Sequence, residues 1–241
     1  MQTTSALYQT IISQSPHWFE TRVRINNVYY GESSLMSVHV SHSVFSEEQP
    51  VVGGCLAAQL DVKMIAPSAE IPRMAEVRPY VRVANKTQTS EWLPQGVFYI
   101  DTRETTHTNT GVEVLTLHCF DAMLKAEADY PSTTHSWPYS DINVVKEIAY
   151  TMGLQSSRTA TTGIDSRTIT LMNKAYSISL PAGYSMRETL GNIAAMYAGN
   201  WIMNYDGKLR LVTLTELPEE TNYLIDSLYE AITFGGDRIL V

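Results

Sequence analysis

Val77-Arg78-Pro79-Tyr80-Val81-Arg82-Val83 alternates apolar with polar or amphipathic side chains, the period-two pattern of a strand that buries one face. Val38-His39-Val40 repeats it on a smaller scale. Similar runs fill the first half of the chain: Arg22 to Tyr30, Ser37 to Phe45, Leu56 to Ile65, Glu76 to Ala84, Gly96 to Arg103 and Glu113 to Phe120, with turn formers between them. Six short strands in roughly 100 residues predict a closed or nearly closed β barrel. Pro79 cannot donate to a ladder, so its strand is expected at an edge or a bulge, an edge where a neighbour would dock.

Helical signals lie on either side of this β region. Thr4 to Ser13 places Leu7, Ile11 and Ile12 on one face of a short helix ending near Ser15-Pro16. Asp121-Ala122-Met123-Leu124-Lys125-Ala126-Glu127 is a run of helix formers directly after a strand. Residues 129–139 are rich in proline and hydroxyls and read as a connection between an N-terminal barrel-like domain with a leading helix (1–128) and an α+β second domain (140–241).

In that second domain, Ser140 or Asp141 caps a helix that buries Ile142, Val145, Ile148 and Ala149 and stops at Gly153. Ser156 to Thr170 is polar and reads as a mobile excursion, and Tyr176 to Leu180 as a strand. Ser185-Met186-Arg187-Glu188 is a capping box ahead of Leu190, Ile193, Ala194 and Tyr197, with Gly199 closing the helix. Asp206-Gly207 predicts a tight two-residue turn between Trp201–Tyr205 and Lys208–Thr213. Two short strands are expected around Gly235-Gly236, and the apolar ending Ile239-Leu240-Val241 predicts partner strands elsewhere. The fold class is therefore mainly β with α, an α+β chain.

Of the 241 residues, 44% are hydrophobic and 17% charged, the balance of a folded globular protein. A net charge of −8 and a pI near 5.2 oppose binding to phosphate backbones, so nucleic acid is not an expected partner. No apolar run is long enough for stable membrane insertion, and the N-terminus lacks the basic start and apolar core of a secretory signal, which predicts synthesis in the cytoplasm.

A search for chemistry finds no constellation. Cys55 and Cys119 sit in apolar runs and read as buried reduced thiols. Gly183-Tyr184-Ser185-Met186-Arg187 has arginine where a nucleophile elbow needs its second glycine, and capping explains Ser185. The six histidines are scattered; His39 and His42 flank a strand and read as solvent-facing, so no metal is expected. Gly53-Gly54 and Gly235-Gly236 read as turns or bulges. Asp101, Glu104, Glu113 and Asp121 are the acidic residues near strands that a glycosidic mechanism would recruit, and they read as solvated or capping carboxylates. Asn85-Lys86-Thr87 fits a glycosylation acceptor only on a secretory route. Fourteen tyrosines and four tryptophans fit an interaction surface as well as a core. No catalytic, cofactor-binding or metal residue is assigned.

Gly96-Val97-Phe98-Tyr99-Ile100-Asp101-Thr102, followed by Val114 to Cys119 and then Phe120-Asp121-Ala122-Met123-Leu124, resembles tail hub or tail-tip (baseplate hub) proteins of phages and prophages of Gram-positive bacteria, where a strand ends in an aromatic-Asp-Ala-Met/Leu-Leu turn. Val144 to Ala149, Leu190 to Ala194, Gly199 to Met203 and Asp206 to Arg210 resemble the second part of the same proteins, so the likeness spans roughly residues 20–241. It implies a non-enzymatic structural protein of the virion tail, a homotrimeric ring of β-barrel-like hub domains at the distal end of the tail tube. Its expected partners are further copies of itself, the distal tail protein, the tail tube and the tape measure. Phe120 and Asp121 would mark a structural junction. Competing expectations are a tail-associated cell-wall hydrolase, or a carbohydrate-binding module using Trp92, Trp137 or Trp201.

Overall fold

The computed structural model describes residues 2–45, 50–131, 136–174 and 176–214, with the backbone of a short hairpin at 233–234 and 237–238. Its first part is one antiparallel sheet of β1 (Trp18–Ile25), β2 (Val28–Tyr30), β3 (Leu35–Ser41), β4 (Gln59–Ile65), β5 (Glu76–Ala84), β6 (Leu93–Pro94), β7 (Phe98–His107) and β8 (Glu113–Asp121). The strand order is β2-β1-β5-β7-β8-β4-β3, with β6 attached to β5. The leading helix α1 (Ala6–Ile12) is capped by Ser5, whose hydroxyl accepts from the Tyr8 N–H. It packs against β5 with Ile11 fully buried, and Leu7 and Ile12 stay exposed.

Three sequence expectations change here. The run from Arg22 to Tyr30 is a hairpin, because Asn26 and Asn27 both take positive φ (44° and 70°), which only a primed turn requires. Pro79 is not at an edge: β5 has β1 along one side and, along the other, β7 at Glu76–Val77 and β6 at Tyr80–Val81. The proline falls where one neighbour gives way to the next, so its missing N–H breaks no ladder on that side. The third change concerns the barrel, which is not closed: among the described residues no ladder joins β2 to β3. The sheet nonetheless curls over one core, since Val23 and Ile25 at one end share a cluster with Leu60, Val62, Phe98 and Leu117, and Val38 and Val40 at the other end pack onto it.

After β8 the chain tightens into a 3-10 helix, Ala122–Glu127, a closer winding than its helix formers predict. Then come β9 (Tyr139–Ser140), α2 (Asp141–Thr151), α3 (Ser166–Leu171), β10 (Ser177–Ile178), α4 (Met186–Met196), β11 (Gly199–Met203) and β12 (Leu209–Thr213). The ladder of β13 (Thr233–Phe234) with β14 (Asp237–Arg238) brackets Gly235-Gly236, which themselves lie outside the described residues. α2 buries Val145, Ile148 and Ala149 and ends at Gly153, φ 76°. The capping box of α4 forms as the sequence predicts: Ser185 Oγ accepts from Glu188 N at 3.1 Å, and Glu188 Oε2 accepts from Ser185 N at 2.7 Å.

Residues 156–162 form largely exposed turns, whereas residues 163–170 are not an excursion. They contain α3, and Thr168 is fully buried with its hydroxyl accepting from Leu211 N at 2.9 Å. The β11–β12 turn is wider than the two residues expected, because Asn204 Oδ1 accepts from both Asp206 N and Lys208 N and leaves Gly207 alone in the left-handed region. These elements share a second core centred on Trp201, with Val144, Ile148, Leu190 and Leu211 fully buried around it. No helix among the described residues is long and apolar enough to cross a membrane.

The two cores are joined by a strap, residues 51–58, just ahead of β4. It lies parallel to β11: Gly53 N donates to Gly199 O at 2.8 Å, Trp201 N to Gly54 O at 2.8 Å, and Leu56 N to Trp201 O at 3.0 Å. Asn200 closes the contact with both ends of its amide, receiving Gly54 N at 2.7 Å and donating to Val51 O at 2.6 Å. Gly53-Gly54 is thus part of an added strand, and the strand expected from Leu56 becomes sheet only at Gln59.

Close approach explains Gly191 in α4, where a Cβ would stand 2.7 Å from Gly53 O. Helix propensity alone favours Gly191→Ala by about 1 kcal/mol. The expected outcome is the opposite, a loss of about 1–3 kcal/mol from overpacking against the strap. Urea unfolding monitored by circular dichroism checks it, and a stabilised variant would show that the strap does not constrain α4.

Candidate assembly surface

The outward side of β1 and β5 is set by register. Glu20, Arg22 and Arg24 stand opposite Arg82, Tyr80 and Arg78, so one face carries a lattice of charges and rings. Arg82 bonds Glu20 (Nε–Oε2 2.7 Å), and this hydrogen bond holds the Glu20 carboxyl below the usual range. Glu76 is shared by Arg78 at 2.6 Å and Arg24 at 3.0 Å, and its carboxyl is lowered, mainly by Arg78. The Arg22 guanidinium lies 4.3 Å from the Trp92 ring centre, 4.5 Å from Tyr29 and 5.1 Å from Tyr80, while Arg82 lies 4.4 Å from the same Trp92 ring.

Next to this face the sheet has free edges of two kinds. β2 reaches only Val23–Ile25 of β1, so among the described residues no strand neighbours 18–22 on that side, and β3 pairs only with β4. These two edges border a groove of about 270 Å³ lined by Phe19, Thr21, Leu35, Met36 and Val38. Trp18, Phe19 and Met36 are each between 43% and 54% exposed, an apolar stretch whose nearest charges are Glu20 and Arg22 on β1 and Glu32 in the groove lining. The other edge is guarded. Asp101 to His107 of β7 is exposed throughout, is paired among the described residues only with β8, and carries Asp101, Arg103 and Glu104.

The junction expected at Phe120-Asp121 ties the sheet to the strap. The Asp121 carboxylate accepts from Ala58 N at 2.8 Å and from Met123 N at 2.9 Å. Arg187 of α4 donates to Cys55 O and, at 3.2 Å, to Met123 O, and it pairs with Glu127 at 2.6 Å. Burial raises the Asp121 carboxyl to about 6, against the lowering effect of the two amides and Arg187.

The other residues singled out from sequence fall apart in space. Ser185 is a cap. Cys55 and Cys119 are buried free thiols, both pushed up to about 12 by burial. His39 does have an acidic neighbour, which its surrounding sequence does not announce, because Asp61 lies opposite it on β4 and also bonds His118 Nδ1 at 2.7 Å. His42 bonds Gln95 O and packs edge-on to Tyr205. Among the described residues no group of His, Cys, Asp and Glu is disposed to hold a metal.

Of the carboxylates, Asp121 and Glu113 lie at opposite ends of β8, about 27 Å apart at the ~3.4 Å strand rise, far beyond the spacing of a glycosidic pair. Asp101 lines a separate cavity with Arg73 and Arg103, and Glu104 faces solvent on β7. Asn85 Oδ1 accepts from Thr87 N and Gln88 N, forming a turn. Trp201 is fully buried and cannot stack on a sugar, Trp137 is half-buried against Tyr130 and Tyr139, and Trp92 carries two guanidinium groups near its ring. Sequence reasoning misses the Arg22 lattice. Its signal is the Arg-x-Arg spacing at 22–24 and the arginines at 78 and 82, legible only once β1 and β5 are in register.

Asp121 gives a testable pH dependence. Its folded value of about 6 exceeds the reference 3.8, so the folded state holds the proton more tightly, and the contribution is full below about pH 4 and lost as pH rises through about 6. The expected loss is about 3 kcal/mol at most, because the two states differ roughly a hundredfold in proton affinity and each tenfold is worth about 1.4 kcal/mol. Asp121→Asn should flatten that slope in urea unfolding performed across the window; an unchanged slope would remove Asp121 as its source.

No protein-family profile matches the chain, and no curated protein matches it. Solved structures do. The 43 kDa tail protein of prophage MuSo2 from Shewanella oneidensis is similar over 90% of this chain and 61% of its own, with a TM-score of 0.52 and 10% identity. The tail protein from Neisseria meningitidis MC58 matches over 80% of this chain and 51% of its own, with a TM-score of 0.45 and 13% identity. The chain spans about half to three-fifths of those proteins' lengths. At such identity the likeness is one of architecture: the curled antiparallel sheet with its strapped α+β companion is a fold shared with the Shewanella prophage tail protein.

Proposed function

We propose that this chain is a structural subunit of a phage or prophage tail, sited at the tip or baseplate hub and acting by assembly, not catalysis. The observation that carries the reading is the fold shared with a prophage tail protein over 90% of the chain. Its neighbours in the tail would be the distal tail protein, the tail tube and the tape measure, and it would form a ring of three copies. The open apolar edges of β1 and β3 support an assembling subunit, since such edges are a liability in a solitary protein and an asset where a neighbour covers them. The two cores, one in the sheet and one around Trp201, fit a subunit in two parts, the second of which already takes in Ala122, Met123 and Ala126 ahead of residues 129–139.

Two measurements test it. Gold-labelled antibody against the chain should mark one end of tails released from the producing cells, and label absent from tails would sink the tail reading. Multi-angle light scattering of the purified chain should give three times the 27.0 kDa protomer. A monomer at every concentration, and in the presence of isolated tail tubes, would overturn the ring.

A further inference from the structure

The lattice on β1 and β5 carries an unmatched charge. Each of its other arginines has a carboxylate: Arg82 has Glu20, while Arg24 and Arg78 divide Glu76. Arg22 makes no hydrogen bond and no ion pair among the described residues, and its Nε is buried with no partner. It is held by rings instead, between 4.3 and 5.1 Å from three of them. Lys125 adds a further cation, 4.1 Å from the Tyr99 ring and within the field of Glu76. Glu32, at the rim of a groove of about 270 Å³ in front of Arg22, adds the third carboxylate. Five cations thus stand against three carboxylates, an excess of two positive charges on a chain whose net charge is −8.

We propose that this face is a docking surface for an acidic protein partner, one of whose carboxylates seats on the Arg22 guanidinium. Three observations point to a carboxylate. Stacking fixes the guanidinium plane and leaves its Nη edge as a pre-oriented fork, the geometry that takes a carboxylate through two parallel hydrogen bonds. The side-chain entropy of ordering this arginine is already spent on the rings, so a partner gains affinity from pre-organisation. Nucleic acid is a poorer match, because a chain with a net charge of −8 repels a phosphate backbone outside this small patch. The inference deepens the assembly reading above and rests on it for the partner being another protein.

Proton–nitrogen spectra test it directly, through the Arg22 Nε–H and the Trp92 indole N–H. N-acetyl hexaglutamate should shift both signals saturably, and hexaglutamine should leave them in place. Arg22→Lys keeps the charge but lacks the fork, and should weaken the Trp92 response at least tenfold; Arg22→Gln should abolish it, with circular dichroism confirming that both variants fold. The proposal is overturned if hexaglutamate leaves the signals unmoved, if Arg22→Lys responds like the parent, or if an oligothymidylate saturates the site at lower concentration than the peptide. Failure of this titration leaves antibody labelling of tails unaffected, so the two readings fall separately.

Discussion

Three backbone hydrogen bonds between the strap and β11 hold the sheet half of this protein to its helical half. Each contributes about 1 kcal/mol net, but the groups they satisfy sit at the rim of a dry core, where an unmade bond costs more. The surrounding chemistry follows from keeping this contact close. Gly191 removes the Cβ that would push α4 off the strap, Gly54 removes one that would crowd Asn200 Oδ1, and Asn200 spends both ends of its amide on strap backbone. Arg187 reaches from α4 to the carbonyls of Cys55 and Met123, so one side chain grips the strap and the 3-10 helix together.

Local order is legible in the sequence and long-range pairing is not. The capping box at Ser185, the stop at Gly153 and the full extent of β5 depend on neighbours within a few residues, and all form as the sequence predicts. The departures are of two kinds, turn chemistry that the sequence disguises and long-range pairing that it does not announce. Asn26-Asn27 carries no glycine, so its primed turn hides inside what looks like a continuous strand. Asn204 captures two amides and widens a turn that Asp206-Gly207 alone would have closed. Pro79 looks like an edge residue until β6 and β7 are seen to share the far side of β5. No local pattern announces that Gly53-Gly54 lies beside Trp201, roughly 150 positions away.

The candidate surface illustrates the same limit. Arg22, Tyr29, Tyr80, Arg82 and Trp92 are ordinary residues in three separate stretches, and an antiparallel register turns them into one stacked array. Aromatic abundance hints at an interface without saying where. The structure divides the tryptophans by role: Trp201 organises a core, Trp92 positions two guanidiniums, and Trp18 stands at an open strand edge. The edges differ as well: the β7 edge is lined with charge over Asp101–Glu104, whereas the β1 and β3 edges present Trp18, Phe19 and Met36.

The strap also sets an order of events on the ribosome. Residues 51–58 leave the exit tunnel well before Gly199–Trp201, their only described backbone partners in β11, have been joined to the chain. At ordinary translation speeds that interval is about 7–30 s, ample time for the sheet to collapse on its own core. The nascent protein therefore carries a finished sheet with a loose apolar cord, Val51 to Leu56, until the second half arrives to capture it. A chain made this way becomes rigid only once β11 has emerged, which delays the final geometry of its surfaces until Gly199–Trp201 can seat the strap.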